Sequence, residues 1–232
     1  MFAIELTGHG IREWGTATGI VAAAVGITLF IDPPLVVKLS ILIPLGILLL
    51  AVYAFFRSPS RSLPKDWTED QMISPADGVI SSIESHERHP DLDAPGIVIR
   101  IFLSVLDVHV NRWPCHGEVT LNRHVPGKHH DARSDRCHME NEHNLVMLRR
   151  SDQKMVGVRQ IAGLIARRIV CPVSIADQAE AGQIYGMIKF GSSTELILPD
   201  PELVGVQVEV GQRVRGGETV LATLPMNEKT AG

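Results

Sequence analysis

Apolar positions are spread unevenly along the chain, and the unevenness divides it. Residues 15–31 form an uncharged run rich in Ala, Val, Ile and Gly, and after Asp32-Pro33-Pro34 a second run, 35–56, is apolar except for Lys38 and Ser40. The second run reaches the ~20 residues that a bilayer-spanning helix needs, and the first falls slightly short. Pro-Pro cannot continue a helix, so the pair is expected as a hairpin with a sharp break. From Ile73 onward the pattern changes to short apolar runs punctuated by Gly, Pro and Asp: 78–83, 96–104, 117–121, 145–148, 184–188, 196–198 and 204–210. Several alternate with period two and are rich in β-branched residues, which predicts antiparallel strands. The run 159–170 reads as a further strand. The fold expected is mainly β (α+β): an N-terminal hydrophobic helical hairpin followed by an antiparallel β-sandwich of the barrel-sandwich-hybrid kind.

The flanks give an orientation. Arg12 precedes the first run, and Arg57, Arg61 and Lys65 follow the second. An excess of cations on both outer flanks places both ends of a hairpin in the cytoplasm. Residues 1–62 are therefore expected to be a membrane anchor with its linker, and residues 63–232 a β domain on the cytoplasmic face of the cell membrane. Two buried helices of a soluble core are the competing reading of the same runs, and a re-entrant hairpin is a third. Arg57 and its neighbours would sit well beside anionic headgroups.

Charge and cysteine usage narrow the chemistry. A formal net charge of −4 with no interleaving of basic and aromatic residues gives no case for nucleic acid. Cys115, Cys137 and Cys171 are odd in number and lack C-x-x-C spacing, so free thiols are expected in a reducing compartment. His129, His130, Cys137, His138 and His143 invite a zinc reading, but their spacings fit no common site and no metal is expected.

Three segments carry candidate chemistry. In Lys189-Phe190-Gly191-Ser192-Ser193-Thr194-Glu195 a Gly-Ser pair lies between two strand-like runs. Glycine can adopt angles that open its carbonyl to attack, and the next side chain is a hydroxyl that could reach it. Ser192 is preferred over Ser193 because it alone follows glycine. The second segment, Ser74-Pro75-Ala76-Asp77-Gly78, is an acid on a turn; the third, Leu106 to Pro114, sets His109 in an extended run. Asp, His and Ser in that order could form a nucleophile with an oriented base. Separately, residues 208–222 follow the glycine-turn pattern of biotinyl- and lipoyl-type hammerhead domains, a fold signal that carries no function by itself.

Taken together, these segments resemble the phosphatidylserine decarboxylases of the short, proteobacterial and archaeal type. The resemblance runs through the apolar hairpin, Phe55-Phe56-Arg57-x-Pro59, Ser74 to Gly78, Asp107-Val-His-Val-Asn-Arg112, Pro126-Gly127, Glu140 to Asn144, Gln160 to Ile169 and Phe190-Gly-Ser. It implies a pyruvoyl-dependent proenzyme that cuts itself between Gly191 and Ser192 into a large subunit, 1–191, and a small one, 192–232. Ser192 becomes the pyruvoyl group, so neither pyridoxal phosphate nor a metal is implied. His109 is expected as base and later acid, with Asp77 orienting it. Longer relatives carry a second histidine where Arg112 stands here, which leaves the base role to His109. Arg167, Arg168 and Arg57 are candidates to hold the phosphate or carboxylate of phosphatidylserine, with a solvated basic edge the competing reading of the first two. A homodimer of the processed pair is a further family expectation. Two other functions remain open on sequence: a membrane-tethered hammerhead-type adaptor, weakened by the lack of a lysine at the hairpin tip, and a conventional Ser-His-Asp hydrolase.

Overall fold

A computed structural model describes residues 5–131, 136–164, 168–189 and 192–226. Gly191 and Arg167 lie outside the described residues. By its internal contacts the chain falls into two compact units, Met1–Ser60 and Arg61–Gly232.

The first unit is a pair of helices, α1 (Ile11–Ile31) and α2 (Leu35–Phe55). Asp32 ends α1 in the left-handed conformation at φ 50°, and Pro33-Pro34 keeps the chain extended before α2. The helices run antiparallel: the Thr18 and Tyr53 hydroxyls meet at 2.7 Å, 35 residues apart in sequence. Most of their large apolar side chains are exposed, so the pair has no core of its own to explain its composition. Both helices are long and apolar enough to cross a membrane.

The second unit is almost all β. Its strands are β1 (Gln71–Ile73), β2 (Gly78–His89), β3 (Ala94–Leu103), β4 (Val110–Arg112), β5 (Gly117–Val125), β6 (His143–Arg149), β7 (Met155–Ala162), β8 (Arg168–Val170), β9 (Gln178–Ala179), β10 (Ile184–Lys189), β11 (Ser192–Pro199), β12 (Gly205–Val206), β13 (Arg213–Val214) and β14 (Val220–Thr223), with one short helix, α3 (Cys137–Glu140). Eight of them form one sheet in the order β13-β2-β3-β11-β7-β6-β5-β9; β4-β10-β8 and β1-β14-β12 form two smaller sheets. All pairings between these strands are antiparallel. The mainly β architecture with a helical N-terminus agrees with the sequence pattern. Run 159–170 does not remain one strand: β7 ends at Ala162, and β8 leaves the large sheet to pair with β10. Of run 204–210 only Gly205–Val206 is strand.

The pleat divides the apolar residues between two clusters. Leu196 and Leu198 of β11 join the large core with Ile99, Ile101, Val156, Val158, Trp113 and Tyr185; Ile197 joins a smaller cluster with Val98, Leu145 and Met147 on the other face. Trp113 and Tyr185 stack with ring centroids 4.0 Å apart, which locks the entry of β10 against the end of β4. At Gly78 the backbone takes φ 152° and a Cβ would lie 2.1 Å from the Phe102 carbonyl oxygen, so only glycine lets β2 start flush against the end of β3.

Candidate active site

Ser192 is the first residue of β11, a central strand flanked on both sides, and it faces Leu103 of β3 and Ala162 of β7 in register. Its hydroxyl is fully buried and has no hydrogen-bond partner among the described residues. Leaving such a group unpaired costs about 1–3 kcal/mol, and a stable core would replace it with an apolar side chain.

Alternation along β11 decides what Ser192 faces. Thr194 Oγ1 accepts a hydrogen bond from Asn111 Nδ2 at 3.1 Å, whereas Glu195 is held by Arg100 at 2.9 Å and Arg159 at 3.0 Å. Ser192 therefore shares the Thr194 and Asn111 face, and Ser193 shares the Glu195 face. Asn111 is fixed in turn by Gln160, whose Nε2 donates to Asn111 Oδ1 at 2.8 Å. These three side chains are completely buried.

His109 lies two residues before Asn111 on the approach to β4 and is also completely buried. Its backbone carbonyl accepts from the Ile188 N–H at 3.1 Å, tying it to β10 just upstream of residues 190–191. Ring Nδ1 stands 2.9 Å from the Asp107 carbonyl oxygen. A carbonyl can only accept, so Nδ1 carries the proton and the lone pair is on Nε2, the form in which imidazole takes up a proton.

Nδ1 of His109 is thus held by the main chain of Asp107. The Asp77 carboxylate is taken up elsewhere: Arg61 binds both of its oxygens, the second at 2.7 Å, and the Gly216 N–H donates to Oδ1 at 2.9 Å. Burial opposes the charge on Arg61, yet Asp77 and Glu218 outweigh it and raise the guanidinium above its usual value. Arg112, buried nearby and facing the Arg61 charge, is pushed down. Asp77 belongs to a clasp in which the 74–78 turn and the 216–219 turn exchange main-chain bonds: Ser74 N–H to Thr219 O at 2.8 Å and Gly217 N–H to Ser74 O at 2.9 Å. The sequence showed Asp77 as an acid on a turn but gave no sign of Arg61 as its partner, which lies 16 residues away across the linker.

Asp107 has a second task, missed in the sequence although it stands inside the same motif. Its side chain accepts from the Ser104 N–H at 2.9 Å and from Arg213 at 2.7 Å, closing a tight turn directly before His109. Burial works against ionisation here, but these two donors hold the carboxyl below the usual range.

The other candidates are dispersed. Arg168 is exposed on β8, in register with Lys189 of β10. Arg57, in the first unit, bridges to Leu6 and donates to the Ala54 carbonyl. The histidine-rich segment is tied up locally, with His129 on Glu142 at 3.1 Å, His130 on Glu140 at 3.2 Å and the Nδ1 of His143 at 3.0 Å from the Asn141 carbonyl. A cavity of about 400 Å³ lined by His86, His89, Arg100, Arg159 and Glu195 lies on the Glu195 face, the opposite side of the sheet from Ser192. Burial raises the Cys115 thiol to about 12 and the Cys137 and Cys171 thiols to about 11 each.

Comparison with known proteins places this arrangement. Residues 48–222 match the family model described as phosphatidylserine decarboxylase. A phosphatidylserine decarboxylase proenzyme of Erythrobacter litoralis is 42% identical over 201 residues, covering 82% of this chain and 79% of its own. Those of Geotalea uraniireducens and Saccharopolyspora erythraea are 43% and 44% identical, each covering more than 70% of both chains. With three quarters of its length inside the family model and relatives of this closeness, the chain belongs to the phosphatidylserine decarboxylase family.

Proposed function

We propose that this chain is a proenzyme that cuts itself between Gly191 and Ser192 and then converts phosphatidylserine to phosphatidylethanolamine with the pyruvoyl group formed from Ser192. The observation that carries the proposal is the wholly buried Ser192 hydroxyl, without a hydrogen-bond partner among the described residues, at the head of a central strand, on the face of Asn111 and next to the run that holds His109. No structural need explains a hydroxyl there; a nucleophile does.

In self-cleavage His109 Nε2 takes the Ser192 proton and Oγ adds to the Gly191 carbonyl. Breaking the C–N bond gives an ester with a free Ser192 amine. Loss of the Ser192 Cα proton expels the Gly191 carboxylate, and water then replaces nitrogen, releasing ammonia and leaving a ketone at residue 192. The new N-terminus begins inside β11, where hydrogen bonding to β3 and β7 keeps residues 192–226 in place without a peptide link. Main-chain bonds between the 74–78 and 216–219 turns, reinforced by Arg61 and Asp77, hold the same segment at its far end. Asp77 is accordingly proposed as a positioning residue for the cleavage site.

The pyruvoyl ketone supplies the electron sink that decarboxylation of an amino acid requires. The chain's own residues do the rest. His109, its tautomer fixed by the Asp107 carbonyl, returns a proton to the substrate Cα. The buried walls around Asn111, Thr194 and Gln160 exclude water while charge develops. Arg168, Arg167 and Arg57 are candidates for the anionic phosphate and carboxylate of the headgroup. The two apolar helices anchor the chain in the cell membrane with the β unit on the cytoplasmic side, and a homodimer of the processed pair is the proposed assembly.

Neither alternative function keeps support: family membership covers the glycine turn near the C-terminus and Ser192 alike, so neither an adaptor nor a hydrolase is needed to account for them. The test is production of labelled phosphatidylethanolamine from phosphatidylserine by the wild type and by Ser192→Ala. The variant should remain one polypeptide and be inactive; processing or turnover at the wild-type rate would refute the assignment.

A further inference from the structure

At the end of the large sheet where Ser192 sits, Leu103, Ser192 and Ala162 lie level on three adjacent strands. β3 and β7 therefore leave the sheet on either side of Ser192, about 10 Å apart at two strand spacings. Both exits carry apolar side chains into solvent. The turn after β3, Ser104-Val105-Leu106-Asp107, shows Val105 45% and Leu106 83% exposed, and the exit from β7 shows Leu164 56% exposed.

Of the seven large apolar side chains exposed among the described residues of the β unit, three thus gather at the Ser192 end. The 104–107 turn is firmly built: Asp107 N–H donates to the Ser104 carbonyl at 2.9 Å, the Ser104 N–H donates to the Asp107 carboxylate at 2.9 Å, and Arg213 clamps that carboxylate from β13 at 2.7 Å. Central turn positions facing water are ordinarily occupied by Gly, Pro, Asn, Asp or Ser. A rigid turn that instead presents Val-Leu at its tip, with an arginine at its base, has the layout of a side-chain pair entering hydrocarbon while a cation stays at headgroup level.

We infer that this end of the β unit is a bilayer-docking surface: Val105 and Leu106, flanked by Leu164, enter the lipid surface beside the reacting residue, and Arg213 lies at the phosphate level. A bilayer is the occupant, because the same chain carries two helices of bilayer-crossing length and because the cation stands at the base of the apolar tip. The inference rests on the proposed reading that the substrate is a membrane phospholipid, and it adds the route: the headgroup reaches Ser192 through a mouth pressed against the membrane, without leaving the interface.

The test compares the full-length processed enzyme on phosphatidylserine in phosphatidylcholine vesicles and on a short-chain, monomerically dispersed phosphatidylserine. In Val105→Ser/Leu106→Ser the ratio of vesicle to dispersed turnover should fall at least ~10-fold relative to wild type, about 1.4 kcal/mol of lost transition-state access. Ile175→Ser is the control, since Ile175 is 65% exposed on a similar Ser-x-x-Asp turn that bonds Val119, at the opposite end of the sheet. An unchanged ratio in the double variant, with the wild type active on both substrates, overturns the inference and leaves the proposed function standing. A wild type inactive on both overturns that function and this inference with it. Should the double variant not self-cleave, Leu106→Trp decides: tryptophan emission above that of the parent chain must be quenched by brominated phosphatidylcholine, and emission added by Ile175→Trp must not. No quenching at 106 rejects the docking surface.

Discussion

Replacing Asn111 by leucine asks whether the buried polar chain behind Ser192 holds the site together. The side chain is of nearly the same size, so the change removes hydrogen bonds and opens little space. Gln160 Nε2 and Thr194 Oγ1 both lose the partner seen here, and each is fully buried. Stranding a buried polar group costs about 1–3 kcal/mol, so two cost about 2–6, of which burying leucine in place of an amide returns about a third to a half; the net loss is about 1–4 kcal/mol. For a domain the size of 61–232 that lowers Tm by about 2–16 °C. Melting should be followed by circular dichroism with Ser192→Ala present in both proteins, so that an uncut chain is compared with an uncut chain. In the Ser192 background, fragment 192–232 should appear about 10- to 100-fold more slowly, because Thr194 fixes the strand two residues from the nucleophile. The partner change Thr194→Val must be less than additive with Asn111→Leu, since both remove the same bond. A melt within about 1 °C of the parent, or full additivity, would refute the claim that this chain of three residues sets the geometry.

Other consequences can be checked singly. Asp77→Asn should slow self-cleavage about 10-fold by loosening the clasp on the 216–219 turn while leaving the pH midpoint of cleavage unmoved; a midpoint shifted to lower pH would instead mean that Asp77 acts on His109 directly. The folded Asp107 carboxyl is depressed, so its bonds to Arg213 and Ser104 stabilise the fold above the unfolded carboxylate pKa. That contribution disappears as the pH falls through the lower folded value, and an Asp107→Asn variant should lose the corresponding acid limb in a stability–pH curve. Because Arg213 is two-thirds exposed the ionic part is small, under about 1 kcal/mol, and salt should weaken it. With thiols raised to about 12 and about 11, the three cysteines should resist iodoacetamide at neutral pH in the native protein and react once it is unfolded; rapid native labelling with loss of activity would contradict this.

The parts legible in the sequence are those written in local periodicity. Alternation in 96–104 and 196–198 marked β3 and β11, and the apolar runs broken at Pro33-Pro34 marked the two helices. The Gly-Ser step stood out because it interrupts two strand-like runs, and alternation within β11 also separates Ser192 from Ser193, a distinction that sequence could make only through the preceding glycine. What stayed hidden was partnership across the fold. Asp77 meets Arg61 and His109 meets a main-chain carbonyl, and neither pairing leaves a trace in spacing because tertiary packing creates it. The same holds for Thr194, Asn111 and Gln160, which read as ordinary strand residues and are joined only when the small sheet carrying β4 packs against the large one. The break of 159–170 into β7 and β8 was equally invisible, since apolar composition is similar on both sides of Gly163.

Intact mass of the fragment beginning at residue 192, taken from active enzyme, decides whether that residue carries the ketone. The chain should yield two polypeptides, and the small one should lack a free amine, be lighter than its serine-ended form by one ammonia, and gain mass with hydroxylamine as activity falls. An active, uncut chain of 232 residues indifferent to hydroxylamine, or a small fragment ending in unmodified serine, would contradict it.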